Sequence, residues 1–434
     1  MLHLAQRELA PGVGLTAVQT QKFKTCFLGV TFLAPLEEGS ASGYALLPRL
    51  LRRGTRQHPD MESFSAALDE LYGGAIEPMV RKKGETLCVG FSGSFLDDAY
   101  VPGGESVLPA ALSLLGELLL SPAGSGEGFQ EDYFQNEREN MIQKIRGEIN
   151  DKRQYAMTRL IQLMCQGEPY GVNKRGSQET AAALTKEGLW QQYQTLLHTL
   201  PIQLYYCGSA PVSQVEGLFR QMLKPLLDDK RVPAPPLPAP VAPPASGPRT
   251  FEDKMDVTQG KLTLGFRIGA SCLGAKEAAR ILLLDAVFGG STNSKLFLNV
   301  REKLSLCYYA SSSVERVKGV LLVSSGVEFD KFEEAKKEIL AQMEAIRNGQ
   351  VSREELEGAK KFVAGSLRAN LDAQTRLENY WLNQAITGET LPPQELAAAV
   401  EETTLAELVE LAGHIQLDSI YFLNGKEGAA HANA

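Results

Sequence analysis

Residues 232–250 read Val-Pro-Ala-Pro-Pro-Leu-Pro-Ala-Pro-Val-Ala-Pro-Pro-Ala-Ser-Gly-Pro-Arg-Thr, a density of proline that removes backbone hydrogen-bond donors. Proline has no backbone N–H and locks φ, so a run this dense stays extended and acts as a semi-rigid spacer. It divides the chain into residues 1–231 and 251–434, each long enough to fold as a domain. A ligand for an SH3-type partner is the other use of such a segment. Its place between two similar halves favours the spacer.

The halves share one plan. Residues 25–35 form a strongly apolar strand, and residues 261–269 alternate. There Leu262, Leu264, Phe266 and Ile268 face one way, with Lys261, Thr263, Gly265, Arg267 and Gly269 on the other, which predicts a sheet with one buried face. Apolar helical runs follow at 44–51 and 278–288, then second short helices at 61–71 and 295–303. A strand pair comes next in each half, its second members at 86–95 and 319–328, turning at Lys82-Lys83-Gly84 and at Arg316 to Gly319. Phe332, Ala335, Ile339, Met343 and Ile346 repeat at helical spacing up to Gly349, and Ser352 with Glu355 predicts a capping box. Short strands at 202–207 and 419–423 close the halves. Such a repeat implies a duplication and an α+β fold.

Charge excludes some functions. A net charge of −8 argues against a general binder of nucleic acid or anionic membrane. The basic clusters (81–83, 336–337, 360–361) are short and alternate with carboxylates, as on a solvated face. No run has the ~20 apolar residues of a membrane span. The N-terminal residues lack the pattern of a signal peptide, and the six cysteines stand singly, which predicts buried thiols and a cytoplasmic protein.

Residues 43–55 read Gly-Tyr-Ala-Leu-Leu-Pro-Arg-Leu-Leu-Arg-Arg-Gly-Thr. They resemble the metal-binding helix of the M16 peptidases (insulinase and mitochondrial-processing type), which carries His-x-x-Glu-His before a Gly-Thr. Counting back from Gly54-Thr55, the ligand and base positions fall on Ala45, Pro48 and Arg49. The segment Glu137-Arg-Glu-Asn-Met-Ile-Gln-Lys-Ile145 resembles the helix with the third ligand, whose position falls on Lys144. A protonated amine there offers no lone pair and repels a divalent cation. The five histidines (3, 58, 198, 414, 431) include no pair at helical spacing. The resemblance spans the chain and implies two homologous M16-type (LuxS/MPP-like) domains, each a mostly antiparallel sheet covered by helices, arranged as a clamshell.

The second half departs less from the family. Phe288-Gly-Gly-Ser-Thr-Asn-Ser-Lys-Leu-Phe-Leu-Asn-Val-Arg-Glu-Lys-Leu-Ser-Leu-Cys-Tyr-Tyr309 resembles the segment whose Arg and Tyr hold the peptide carbonyl and stabilise the oxyanion. The matching residues are Arg301 and Tyr308, with the adjacent Tyr309 on the opposite sheet face. Preorganised donors of this kind contribute ~3 kcal/mol each to such a transition state, but they generate no nucleophile. A surface or packing role is the plain alternative for both. Gly289, Gly290 and Ser291 suit either contact with a peptide backbone or a tight turn. There is no phosphate-loop motif, Gly-x-Ser-x-Gly or arguable Cys/His pairing.

The resemblance therefore implies a subunit without a cofactor of its own. Its partner would be an M16 chain with intact His-x-x-Glu-His and bound zinc, and the substrate a peptide. The subgroup most resembled is the bacterial insulinase-like proteins named for elongation factor P aminopentanol modification. The alternative is a structural or binding homologue without proteolysis, comparable to the core subunits of respiratory complex III.

Overall fold

A computed structural model describes residues 2–124, 128–228 and 247–426. Most of the proline segment lies outside the described residues. The described chain forms two compact units. One takes the residues up to Arg146, those from Val172 to the proline segment, and Leu377–Leu382. The other takes Gly147–Gly171 and the rest of the chain after the segment.

The first unit contains β1 (His3–Ala10), β2 (Val13–Gln19), β3 (Thr25–Pro35), α1 (Glu38–Leu51), α2 (Met61–Glu70), β4 (Ala75–Lys83), β5 (Thr86–Leu96), α3 (Leu108–Leu120) and α4 (Glu131–Gly147, apart from its last residue). After α5 (Lys152–Met164), which belongs to the other unit, come α6 (Gln178–Ala182), α7 (Lys186–His198), β6 (Ile202–Gly208), α8 (Val212–Met222) and α9 (Lys224–Asp228). The sheet order is β1-β2-β6-β3-β5-β4, antiparallel except for the parallel pair β2 and β6. β3 is central and buried at all but its two end residues, as its unbroken apolar run requires. α1, α3, α7 and α8 close a core over it that includes Leu28, Val30, Phe32, Leu46, Leu115 and Phe219.

The second unit contains α5, β7 (Arg249–Met255), β8 (Gly260–Arg267), α10 (Ala275–Asp285), β9 (Cys307–Glu315), β10 (Val320–Val327), α11 (Phe332–Arg347), α12 (Arg353–Ala369), the ends of α13 (Gln374–Thr387), α14 (Pro393–Glu402), α15 (Leu405–His414) and β11 (Gln416–Gly425). Its order is β7-β11-β8-β10-β9, with β7 and β11 parallel. That is the order of the first sheet from β2 to β4, strand for strand, including the parallel pair. The repeat expected from element order is therefore a repeat of topology, and β1 is the addition. The hairpins turn at Gly84 (φ 52°) and Gly319 (φ 73°), left-handed positions where glycine carries no Cβ penalty. Ser352 and Glu355 form the capping box that starts α12.

The alternation along β8 predicted a single buried face, and the structure differs. Thr263 and Arg267, on the polar side, are buried as well. The cover is α5, whose Ala156, Leu160 and Met164 join Val320, Leu322 and Tyr421 in one apolar cluster. Gly265 permits the approach, because a Cβ there would lie 2.4 Å from the Met164 sulfur. In the first unit, residues 377–382 play a comparable part. Glu378 is buried and bonded to Arg81 at 2.5 Å, while the Lys83 amine donates to Asn379 at 2.8 Å. Each sheet thus takes a helical segment from the far side of the proline run.

All six cysteines are buried free thiols, as their spacing predicts. Among the described residues no helix is long and apolar enough to cross a membrane.

Candidate functional site

The positions at which the family resemblance places zinc ligands lie in the first unit, on α1 and α4. Ala45 and Pro48 are buried within α1, and Arg49 is half-buried in its last turn. Pro48 inside the helix removes the N–H that would bond the Tyr44 carbonyl. The two helices meet where the Arg53 Nε donates to Glu137 Oε1 at 2.8 Å. Glu137 is buried and engaged by this guanidinium and by Asn140. Seven residues on, the Lys144 ammonium is held below its usual range by desolvation, then by the like charges of Arg49 and Arg175, with Glu137 opposing. Lone pairs are missing and positive charge has accumulated, so these residues do not fit a zinc ion. Among the described residues no group of three or more His, Cys, Asp or Glu could hold a metal.

Arg301 and Tyr308 lie in the second unit. α10 passes into a π-helical turn at Ala286–Gly290, and a second π-helical stretch spans Leu296–Lys303. Such stretches are rare and recur at functional sites. The Arg301 guanidinium lies 4.8 Å from the Phe297 ring centre and 3.5 Å from Glu302, its side chain 41% exposed. A tight turn follows, in which Ser305 takes φ 49° and Leu306 N–H bonds to Val300 O at 3.0 Å. The turn lets β9 pack against the helical stretch that carries Arg301. Tyr308, at the start of this edge strand, is 62% exposed, a high value for so large a ring. Its hydroxyl donates to Glu328 Oε1 at 2.5 Å, and this bond, with the carboxylate's charge, raises the phenol above its usual pKa. The neighbouring Tyr309 is half-buried, with the Arg153 guanidinium 4.1 Å from its ring centre. Exposed Leu298 and Leu304 flank Arg301 in sequence.

Close packing accounts for the two glycines before this stretch. A Cβ on Gly289 would lie 2.6 Å from the Ser312 nitrogen, and one on Gly290 2.7 Å from Asp285 Oδ2. Ser291 Oγ donates to Ala286 O at 2.9 Å. Sequence reasoning did not find Glu328, Arg53 or Arg175. Glu328 is twenty positions from Tyr308 and directly follows β10, the strand paired with β9, so only strand register brings them together. Arg175 follows Lys174 in a short basic pair that gives no motif.

Residues 183–363 match the family model described as "Peptidase M16 inactive domain". A Bacillus subtilis (strain 168) protein named "Probable inactive metalloprotease YmfF" is 34% identical over 96% of this chain and 97% of its own length. Among solved structures, a conserved protein from Enterococcus faecalis V583 superposes with a TM-score of 0.86 at 26% identity, covering 98% of this chain and 99% of that one. A peptidase M16 inactive domain from Pseudomonas fluorescens gives 0.79 at 17% identity, with the same coverage, and supports the fold alone. The extent and level of these similarities lead to one conclusion: the chain belongs to the M16 peptidase family.

Proposed function

We propose that this chain is the non-zinc subunit of a heterodimeric M16 metallopeptidase, binding peptide and supplying Arg301 and Tyr308 to a partner with His-x-x-Glu-His. The observation that carries the proposal is an asymmetry. The metal positions hold Ala45, Pro48, Arg49 and Lys144, while Arg301 and Tyr308 stay exposed, beyond what packing needs. Zinc bound in the partner would activate the attacking water. On this chain, the Arg301 guanidinium would orient the scissile carbonyl and stay charged at any working pH. The Tyr308 hydroxyl would donate to the same oxygen as negative charge develops there. Gly289, Gly290 and Ser291 would line the approach of the peptide backbone.

The test is turnover of a peptide by the reconstituted pair. Arg301→Ala or Tyr308→Phe should lower kcat by about 10²–10³ with zinc content unchanged. Unchanged turnover removes the catalytic role.

A second reading is a structural or peptide-binding homologue without proteolysis. The observation in its favour is that Glu328 already accepts the Tyr308 proton donor. On this reading a partner is retained and neither substitution alters any activity of the assembly.

A further inference from the structure

α1 is buried at every position from Ala41 to Leu51 except Arg49. A guanidinium half-withdrawn from water needs acceptors for its five donors. Among the described residues Arg49 has neither a hydrogen bond nor an ion pair, and the same holds for the Lys144 amine. The acid that could have neutralised them, Glu137, is engaged by Arg53 and Asn140.

Three elements bring positive charge to this place. α1 and α4 are joined by the Arg53–Glu137 pair, with Arg49 one turn before Arg53 and Lys144 two turns after Glu137. The 172–178 segment is tied to both: Ser42 Oγ donates to Arg175 O at 2.9 Å, and Arg146 Nε donates to Gln178 Oε1 at 3.0 Å. Partial desolvation, then the like charges of Arg49 and Arg175, hold the Lys144 ammonium down, with Glu137 opposing. The ends of α1 and α4 favour single cations, while partial desolvation and like charge act against the ammonium at Lys144.

We propose that Arg49 and Lys144, with Arg175 adding charge beside them, form a binding site for the carboxylate of a peptide, on the helices that in zinc-bearing relatives hold the metal. A carboxylate matches the fork of a guanidinium and accepts from an ammonium. A phosphate dianion suits the place less well, because Arg49 and Lys144 both sit in the last turn of a helix, where carbonyl ends repel concentrated negative charge. The site goes beyond the function proposed above, since it requires neither a partner chain nor Arg301 and Tyr308.

The experiment uses the full-length chain alone. Fluorescence anisotropy is read with dansyl-tetraalanine bearing a free C-terminal carboxylate, with its C-terminal amide, and with an amide carrying one glutamate. Binding of the free acid alone assigns a C-terminal carboxylate, and binding of the glutamyl amide assigns an acidic side chain. Both support the site if Lys144→Glu and Arg49→Gln each weaken affinity about tenfold or more. Lys144 is exposed, so Lys144→Glu should leave thermal unfolding in place. Lys144→Arg should restore binding. Affinity indifferent to both substitutions, or binding of inorganic phosphate with none of any peptide, overturns the proposal. Peptide turnover with a partner is not measured here, so failure of this site and failure of the proposed catalysis stay distinguishable.

Discussion

Arg53, two residues past the end of α1, meets Glu137 on α4 through a 2.8 Å contact in which the carboxylate side chain is only 10% exposed. One charged hydrogen bond lies at this junction. Arg53→Ala leaves a buried carboxylate without its main donor and should cost about 1–3 kcal/mol, read from urea unfolding. Arg53→Met with Glu137→Gln should recover part of that loss. A double substitution no more stable than Arg53→Ala alone would show that the pair is not a strong link.

In the second unit Arg267 bonds Asp418 at 3.1 Å and Glu168 at 2.5 Å, and Lys318 bonds Glu168 at 2.6 Å. Arg249 and Arg267 also donate to Met164 O, at 2.8 and 3.1 Å, and so hold the end of α5. Arg267→Met takes one cationic partner from each of two carboxylates, which keep Lys318 and Arg249, and the expected loss is about 1–3 kcal/mol. Burial pushes Glu168 and Asp418 up, but the bonds from Arg267, joined by Lys318 at Glu168 and by Ser419 and Arg249 at Asp418, leave both below their usual range. Their stabilisation is complete above the ordinary carboxylate pKa near 4 and is lost as pH falls through the lower folded values. The acid limb of a Tm-against-pH curve should therefore flatten in a variant lacking both acids.

Asp285 has the opposite sign. Burial raises its pKa to about 6, against the bond from Ser312 Oγ at 2.5 Å. The folded state binds a proton that the unfolded chain has released, so this stabilisation is full below pH ~4 and lost as pH rises through about 6. Asp285→Asn keeps an acceptor for Ser312 and removes the charge. Its Tm should exceed that of the parent at pH 7.5, by about 1–2 kcal/mol of stability, and the gain should vanish near pH 4.5. Equal gains at both pH values would refute the assignment.

Arg301→Ala should change stability by no more than about 0.5 kcal/mol, because the side chain makes few contacts and is 41% exposed. Tyr308→Phe removes the bond to Glu328 and should behave similarly. A loss of several kcal/mol in either variant would indicate a structural role.

Cutting the chain within the proline segment tests the exchanged helices. A fragment from residue 247 onward lacks α5 and exposes the apolar face of Val320, Leu322 and Tyr421. It should aggregate when expressed alone and become recoverable when co-expressed with residues 1–228. A monomeric, cooperatively unfolding fragment would show that α5 is dispensable.

What could be read from the residues follows from how local each cause is. β3, the hairpins and α11 are set by their own apolar period, glycines and caps, and they appear where those signals place them. The polar face of β8 was misjudged because Thr263, Gly265 and Arg267 look like solvent-facing residues. Their cover is α5, about a hundred positions earlier, and the acids that neutralise Arg267 come from residues 168 and 418. The assignment of Ala45, Pro48 and Arg49 rests on spacing to Gly54-Thr55 alone. Glu328 beside Tyr308, and the meeting of Arg49, Lys144 and Arg175, depend on strand register and helix packing that no short motif records.

The exchange of α5 and residues 377–382 also bears on ancestry. Once each half of a duplicated chain has lent the other a piece of its interior, neither can be deleted or inherited separately. A lineage must go on making both halves, because the chain of the first runs straight into the helix that completes the core of the second. Sequence change can then proceed by substitution but not by loss of either half.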